Sequence, residues 1–129
     1  MKSIFPYFLS LVALLLVGCS AGRNPSSAVK HFYSSIAEGE YDQALAATTI
    51  SEDIDPEIYY AIMDKVNHSI AERGGIKHID IESEHITEDG LSAVVKSRIT
   101  YADNTSQIEE CDVILEDKTW RVDVDLDSK

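Results

Sequence analysis

The sequence predicts an α+β fold, with three N-terminal helices packed on a curved four-stranded antiparallel sheet. Three observations carry this. Apolar residues recur at helical spacing as far as Gly74-Gly75, the period then switches from about 3.6 to about 2, and turn residues separate four alternating runs. Helices first and strands afterwards, without βαβ alternation, is an α+β order. A twisted sheet with one apolar face needs a cover, which the helices supply. A sheet curled around a helix leaves a cone-shaped space between the two layers.

Each element has its own signal. Asn24 reads as an N-cap with Pro25 at the first helical position. Val29, Phe32, Tyr33 and Ile36 follow as one apolar stripe, and Gly39 ends the helix. A second, short helix starts near Tyr41, where Tyr41, Ala44, Leu45 and Thr48 repeat the spacing. After an acidic connector over Ser51–Asp55, Asp55-Pro56 repeats the cap-then-proline signal. Ile58, Ile62, Val66 and Ile70 mark the third helix, Tyr59, Tyr60 and Met63 broaden its apolar face, and Gly74-Gly75 terminates it.

The first strand runs from about Ile76 to Ile86, with Ile79 and Ile81 alternating with acidic residues. Glu88-Asp89-Gly90 turns the chain into Leu91–Tyr101, where Ala93, Val95, Ile99 and Tyr101 share one face and Lys96 and Arg98 the other. Asp103-Asn104 is the next turn and Gln107–Glu116 the third strand. Asp117-Lys118 closes a tight connection into Thr119–Leu126, where Trp120, Val122, Val124 and Leu126 are in phase.

Ahead of this domain, Lys2 supplies a short positive region and Ile4 through Val17 contains no charge. That run is shorter than the ~20 residues that span a bilayer, so it reads as an export signal rather than an anchor helix. It closes on Leu16-Val17-Gly18-Cys19, which resembles the lipobox of bacterial lipoproteins. The resemblance implies a signal peptide over 1–18, lipid on Cys19, a tether over 19–24 and a folded domain over 25–129. Ser20, rather than aspartate, follows the cysteine, which in Gram-negative lipoproteins favours the outer membrane. The protein would then be lipid-anchored in the bacterial cell envelope, facing the periplasm if the cell is Gram-negative and the cell exterior otherwise.

Loss of residues 1–18 removes one basic residue and no acidic one, taking the formal charge from −12 to −13. Such a surface repels nucleic-acid phosphates and anionic headgroups, and suits either a basic partner or simple solubility. If Cys19 carries lipid, Cys111 has no intramolecular partner. Cys111 is in phase with Val113 and Leu115, so it reads as a buried structural thiol whose pKa Glu109, Glu110 and Asp112 would raise.

The runs Asn24-Pro25-Ser26-Ser27-Ala28-Val29-Lys30-His31-Phe32-Tyr33 and Glu38-Gly39-Glu40-Tyr41-Asp42-Gln43-Ala44 resemble the opening of DUF4878 lipoproteins. Gly74-Gly75-Ile76 and Thr119-Trp120-Arg121-Val122-Asp123 agree with the same pattern, so the likeness covers roughly residues 24–126. That family is similar to the nuclear-transport-factor-2-like (NTF2-like) superfamily, which implies the cone-shaped α+β fold. It implies almost nothing about activity, because the superfamily holds isomerases, dehydratases, adaptors and binding modules.

Ketosteroid-isomerase-like members of that superfamily use a carboxylate base and an oxyanion donor in an apolar cone. Tyr33, Tyr41, Tyr59 and Tyr60 could serve such chemistry, but none lies in a motif that transfers by position, so no catalytic residue is assigned. They read more simply as packing residues with hydroxyls at the rim. No metal or cofactor is expected. His31 and His68 fall on different helices, and His78 and His85, seven apart, would face opposite sides of a regular strand. Asp123, Asp125 and Asp127 read as a solvated strand face without a calcium loop. Asn67-His68-Ser69 and Asn104-Thr105-Ser106 match a glycosylation pattern that bacterial lipoproteins do not ordinarily use.

The remaining candidate is a pocket of Phe32, Tyr33, Ile62, Met63, Tyr101 and Trp120 between helices and sheet, for a small apolar ligand or a peptide. The leading reading is therefore a non-catalytic binding or accessory domain. A small-molecule isomerase or dehydratase using the cone is one alternative. An acidic inhibitor or adaptor of a basic envelope protein is the other.

Overall fold

The computed structural model describes residues 22–124. The expected signal peptide, Cys19, Ser20, Asp125, Leu126 and Asp127 lie outside the described residues. Within them the order is α1 (Pro25–Ala37), α2 (Tyr41–Ala46), α3 (Pro56–Glu72), β1 (Ile76–Ile86), β2 (Ser92–Tyr101), β3 (Ser106–Glu116) and β4 (Thr119–Val122). The boundaries have local causes. Asn24 Oδ1 accepts from Ser27 N at 2.8 Å and Asp55 Oδ1 from Glu57 N at 3.0 Å, so each long helix begins on a capped amide followed by proline. Gly74 and Gly75 take positive φ, and Gly75 N donates back to Ile70 O at 3.0 Å to finish α3.

The strands form one antiparallel meander in the order β1-β2-β3-β4. Asp117 and Lys118 both take positive φ, the geometry of a two-residue turn between twisted strands. Helix α1 lies across all four strands, whereas α3 packs on α1 and α2. The core between the layers joins Val29 and Ile36 to Val95, Ile99, Val113 and Val122, all at most 3 % exposed. Each such side chain contributes roughly 1.5–3 kcal/mol on burial. The outer edge of β4 is covered: Val122 N donates to Ala47 O at 2.8 Å and Thr49 N to Val122 O at 2.9 Å. Trp120 N donates to Gly22 O at 3.0 Å. Strand β1 forms the other edge, where charged side chains and bulges discourage further pairing.

Three expectations are corrected. Helix α3 is turned so that Tyr59, Met63 and Ile70 are buried while Ile58 is 49 % exposed, because the Tyr59 hydroxyl is held inward by Ser51 N at 3.0 Å. Strand β4 stops at Val122 rather than Leu126, and Asp123 is half-buried with Oδ1 accepting from Thr49 Oγ1 at 2.8 Å. His78 and His85 face the same side, not opposite sides. The register skips Glu82, so His78 sits opposite Thr100 and His85 opposite Val94, both on the outer face of β2. One bulged residue restores the phase that an odd spacing breaks.

Candidate functional site

The inward face of β2 dictates what β3 shows the helices. Val95, Ser97 and Ile99 are 0–1 % exposed beneath the helices, and they pair with Cys111, Glu109 and Gln107 respectively. Those three side chains therefore share the concave face. Towards the β2–β3 turn the inward positions thus change from apolar to polar, and the space above them stays open. This mouth is a pocket of about 310 Å³. Tyr33 of α1 and Ile99 and Tyr101 of β2 line it. Lys65 and Ser69 of α3 form one lip, Gln107 and Glu109 of β3 the other, and Val66 and Ile70 of α3 join the floor between them.

The polar groups of the mouth are tied together. Tyr101 Oη donates to Gln107 Oε1 at 3.4 Å, and Gln107 Nε2 donates in turn to Glu109 Oε2. The Arg73 guanidinium lies 4.9 Å from the centre of the Tyr101 ring, a cation–π contact on the outside of the mouth. Tyr33 packs edge-on to Phe32 and brings its hydroxyl to 3.7 Å from Cys111 Sγ. Burial, then the neighbouring Cys111, Glu109 and Tyr101, hold the Tyr33 phenol far above its ordinary range. Burial also raises Tyr101, with Arg73 partly opposing it. Burial is the main cause for the Cys111 thiol too: it is pushed up, with Glu109 and Asp112 adding and the Tyr33 hydrogen bond subtracting. At neutral pH the phenols on the wall of the mouth and the Cys111 thiol behind Tyr33 are therefore neutral. None of them is an activated nucleophile.

Further inside, Phe32, Ile36, Tyr59, Ile62, Met63, Val66 and Val124 enclose a void of only about 40 Å³ with no polar surface. A void so small and apolar gives a water nothing to bond to, so this end is effectively packed shut. The predicted pocket residues thus divide. Tyr33 and Tyr101 line the mouth, Phe32, Ile62 and Met63 the closed end, and Trp120, 8 % exposed, packs in the core and lines neither.

No family model matches the sequence, and no curated protein matches it. Solved structures do match. A candidate NTF2-like transpeptidase from Campylobacter jejuni superposes with a TM-score of 0.63 at 21% identity, over 79% of this chain and 99% of that one. The fold is NTF2-like. A SEC-C motif containing protein from Rhodopseudomonas palustris follows at TM-score 0.49 and 15% identity, covering 81% of this chain and 77% of that one. The intermembrane-space region of a chloroplast protein gives 0.42 and 11%, covering 75% and 88%. Those two are too distant to add to the comparison.

In this NTF2-like domain, sequence reasoning missed Lys65, Ser69, Gln107 and Glu109 as pocket residues. The signal was present in part: Gln107, Glu109 and Cys111 are in phase with Val113, which is fully buried. The other tyrosines brace helices. Tyr41 Oη donates to Asp64 at 3.1 Å and Tyr60 Oη to Asp42 at 2.6 Å, linking α2 to α3; desolvation and then Asp64 raise the Tyr41 phenol, whereas the hydrogen bond to Asp42 is the main cause at Tyr60. His68, His78 and His85 are exposed and His31 half-buried. Among the described residues no three His, Cys, Asp or Glu side chains converge as a metal site. Asn67 Nδ2 donates to Ile36 O at 2.8 Å, and Asn104, at positive φ, accepts from Lys77 at 3.1 Å, so both asparagines have structural roles. Among the described residues no helix is long and apolar enough to cross a membrane.

Proposed function

We propose that this protein is a lipid-anchored component of the bacterial envelope whose NTF2-like domain binds a small molecule in the mouth without transforming it. The observation that carries the binding role is the mouth itself. A void of about 310 Å³ with polar groups on its lips and apolar groups on its floor has the size and composition of a small-molecule site. The raised Cys111 thiol, protonated at neutral pH, argues against nucleophilic catalysis, whereas a neutral Tyr33 phenol suits an isomerase-type donor equally well, so the turnover test below separates binding from isomerisation. Anchoring rests on Leu16-Val17-Gly18-Cys19, and outer-membrane placement facing the periplasm, in a Gram-negative cell, on Ser20. Membership of the DUF4878 group rests on the sequence motifs alone.

Two measurements test this reading. Intact mass of the chain isolated from bacterial membranes should correspond to residues 19–129 plus acyl chains, and Cys19→Ala should abolish that species. Thermal-shift and NMR screening of a small-molecule library that spans neutral, cationic, anionic and zwitterionic compounds should yield binders that perturb Tyr33, Val66 and Tyr101, with no turnover of any binder. Turnover abolished by Tyr33→Phe would establish the isomerase-type alternative, and a screen without any perturbation at the mouth would remove the pocket from consideration.

A further inference from the structure

The two lips of the mouth carry opposite charge, and neither charge is neutralised by the other. On the β3 lip, the Glu109 carboxylate is oriented by a relay from Tyr101 through Gln107, which engages Oε2. Among the described residues no donor engages Oε1, which leaves it available to a ligand. On the α3 lip, Lys65 and Ser69 are one turn apart and share a face of the helix. Among the described residues no carboxylate lies within ion-pair distance of Lys65. Between the lips the floor is Tyr33, Val66, Ile70 and Ile99.

Charge balance then selects among ligand classes. A simple anion entering the mouth meets Glu109, and a simple cation meets Lys65. A neutral apolar molecule displaces water from both charges and replaces none of its hydrogen bonds, which is unfavourable. A molecule with a cationic and an anionic end satisfies both lips at once with charge-assisted hydrogen bonds. We propose that the mouth recognises a small zwitterion with an apolar body, of the class of apolar amino acids and short peptides with free ends. The ammonium group sits on Glu109, the carboxylate at Lys65 and Ser69, and the body lies on the apolar floor. This rests on the small-molecule-binding reading above and specifies its ligand class.

The test is a set of NMR titrations of the full chain with four probes: L-phenylalanine, phenethylamine, 3-phenylpropionate and the neutral 3-phenylpropionamide. L-Phenylalanine is expected to bind at least about tenfold more tightly than any of the others, since each lacks one or both charge-assisted contacts. Glu109→Gln should weaken L-phenylalanine and phenethylamine while leaving 3-phenylpropionate unchanged or tighter. Lys65→Met should weaken L-phenylalanine and 3-phenylpropionate but not phenethylamine. Both side chains are at least partly exposed, and unchanged thermal melts of the two variants would verify folding. Equal or tighter binding of the neutral amide would overturn the zwitterion assignment and leave the small-molecule reading standing. Binding of none of the four would overturn the assignment as well, and the broader compound screen would then decide the fate of the mouth.

Discussion

The mouth and the closed void share helices α1 and α3 yet differ in nearly every other respect. At the closed end, α1, α3 and the segment after β4 bring Phe32, Met63 and Val124 together until only about 40 Å³ is left. At the mouth, the same helices stand over Gln107, Glu109 and Cys111, and about 310 Å³ stays open. Their walls differ: β2 and β3 floor the mouth, with Gln107 and Glu109 in the inward phase of β3, whereas apolar residues of α1 and α3 and Val124 alone enclose the other void. An apolar inward position draws a helix side chain onto it, whereas a carboxylate or amide holds its water until a ligand displaces it. The closed end thus belongs to the packed fold, and the mouth is where the proposed recognition would take place.

The sharpest way to break this comparison is to truncate one residue at each end. Phe32→Ala or Met63→Ala at the closed end should destabilise the protein by about 2–5 kcal/mol, through lost transfer energy and the cavity left behind. Gln107→Ala or Tyr101→Phe at the mouth should change stability by no more than about 1 kcal/mol. Urea unfolding of the four variants measures both, and a mouth variant as damaging as a core variant would show that the mouth is part of the core.

A smaller effect is expected at the seam between the ends, where Cys111 sits. Its raised pKa means less thiolate in the folded chain, so alkylation by iodoacetamide near pH 8 should run more slowly than in the urea-unfolded chain. Tyr33→Phe should slow it further, because the Tyr33 hydrogen bond is what favours the thiolate, and Glu109→Gln should speed it by removing a repelling charge. Rates that follow exposure alone would show that Tyr33 and Cys111 are not coupled.

Smallest are the hairpin turns, which lie outside both ends. Asp89 accepts from Thr87 and Leu91 N, and Asp103 from Thr105, which holds both carboxyls below the usual aspartate range. With the folded pKa below the unfolded one, their contribution is present above about pH 4 and disappears as pH falls through the folded value. NMR titration should show both midpoints depressed, with Thr87→Val and Thr105→Val returning each toward the ordinary value. Such changes should leave the mouth and the closed end untouched.

Element order and most boundaries were legible because caps, prolines and glycines punctuate the chain at Asn24-Pro25, Asp55-Pro56 and Gly74-Gly75. The orientation of α3 was not. Its apolar residues span Ile58, Tyr59, Ile62, Met63, Val66 and Ile70, wide enough to suit two rotations, and the position of α1 and the Tyr59 hydroxyl select one. The bulge at Glu82 leaves no mark in composition, so the facing of His78 and His85 could be settled only by register. The mouth was half legible. Tyr33 and Tyr101 stand out as aromatic residues in the apolar phase, whereas a glutamate or glutamine in a strand reads as solvent-facing until its neighbours are known. Gln107 and Glu109 face inward because Ile99 and Ser97 beside them do.

The most direct single measurement is a high-resolution crystal structure of the protein purified from cells without refolding. A vacant mouth predicts ordered water or ligand density bridging Glu109 to Lys65 above Tyr33 and Tyr101, with the void around Phe32 and Met63 empty. A mouth filled by its own side chains, with Lys65 folded onto Glu109 and no room left between α3 and β3, would contradict the division between a closed end and a binding end.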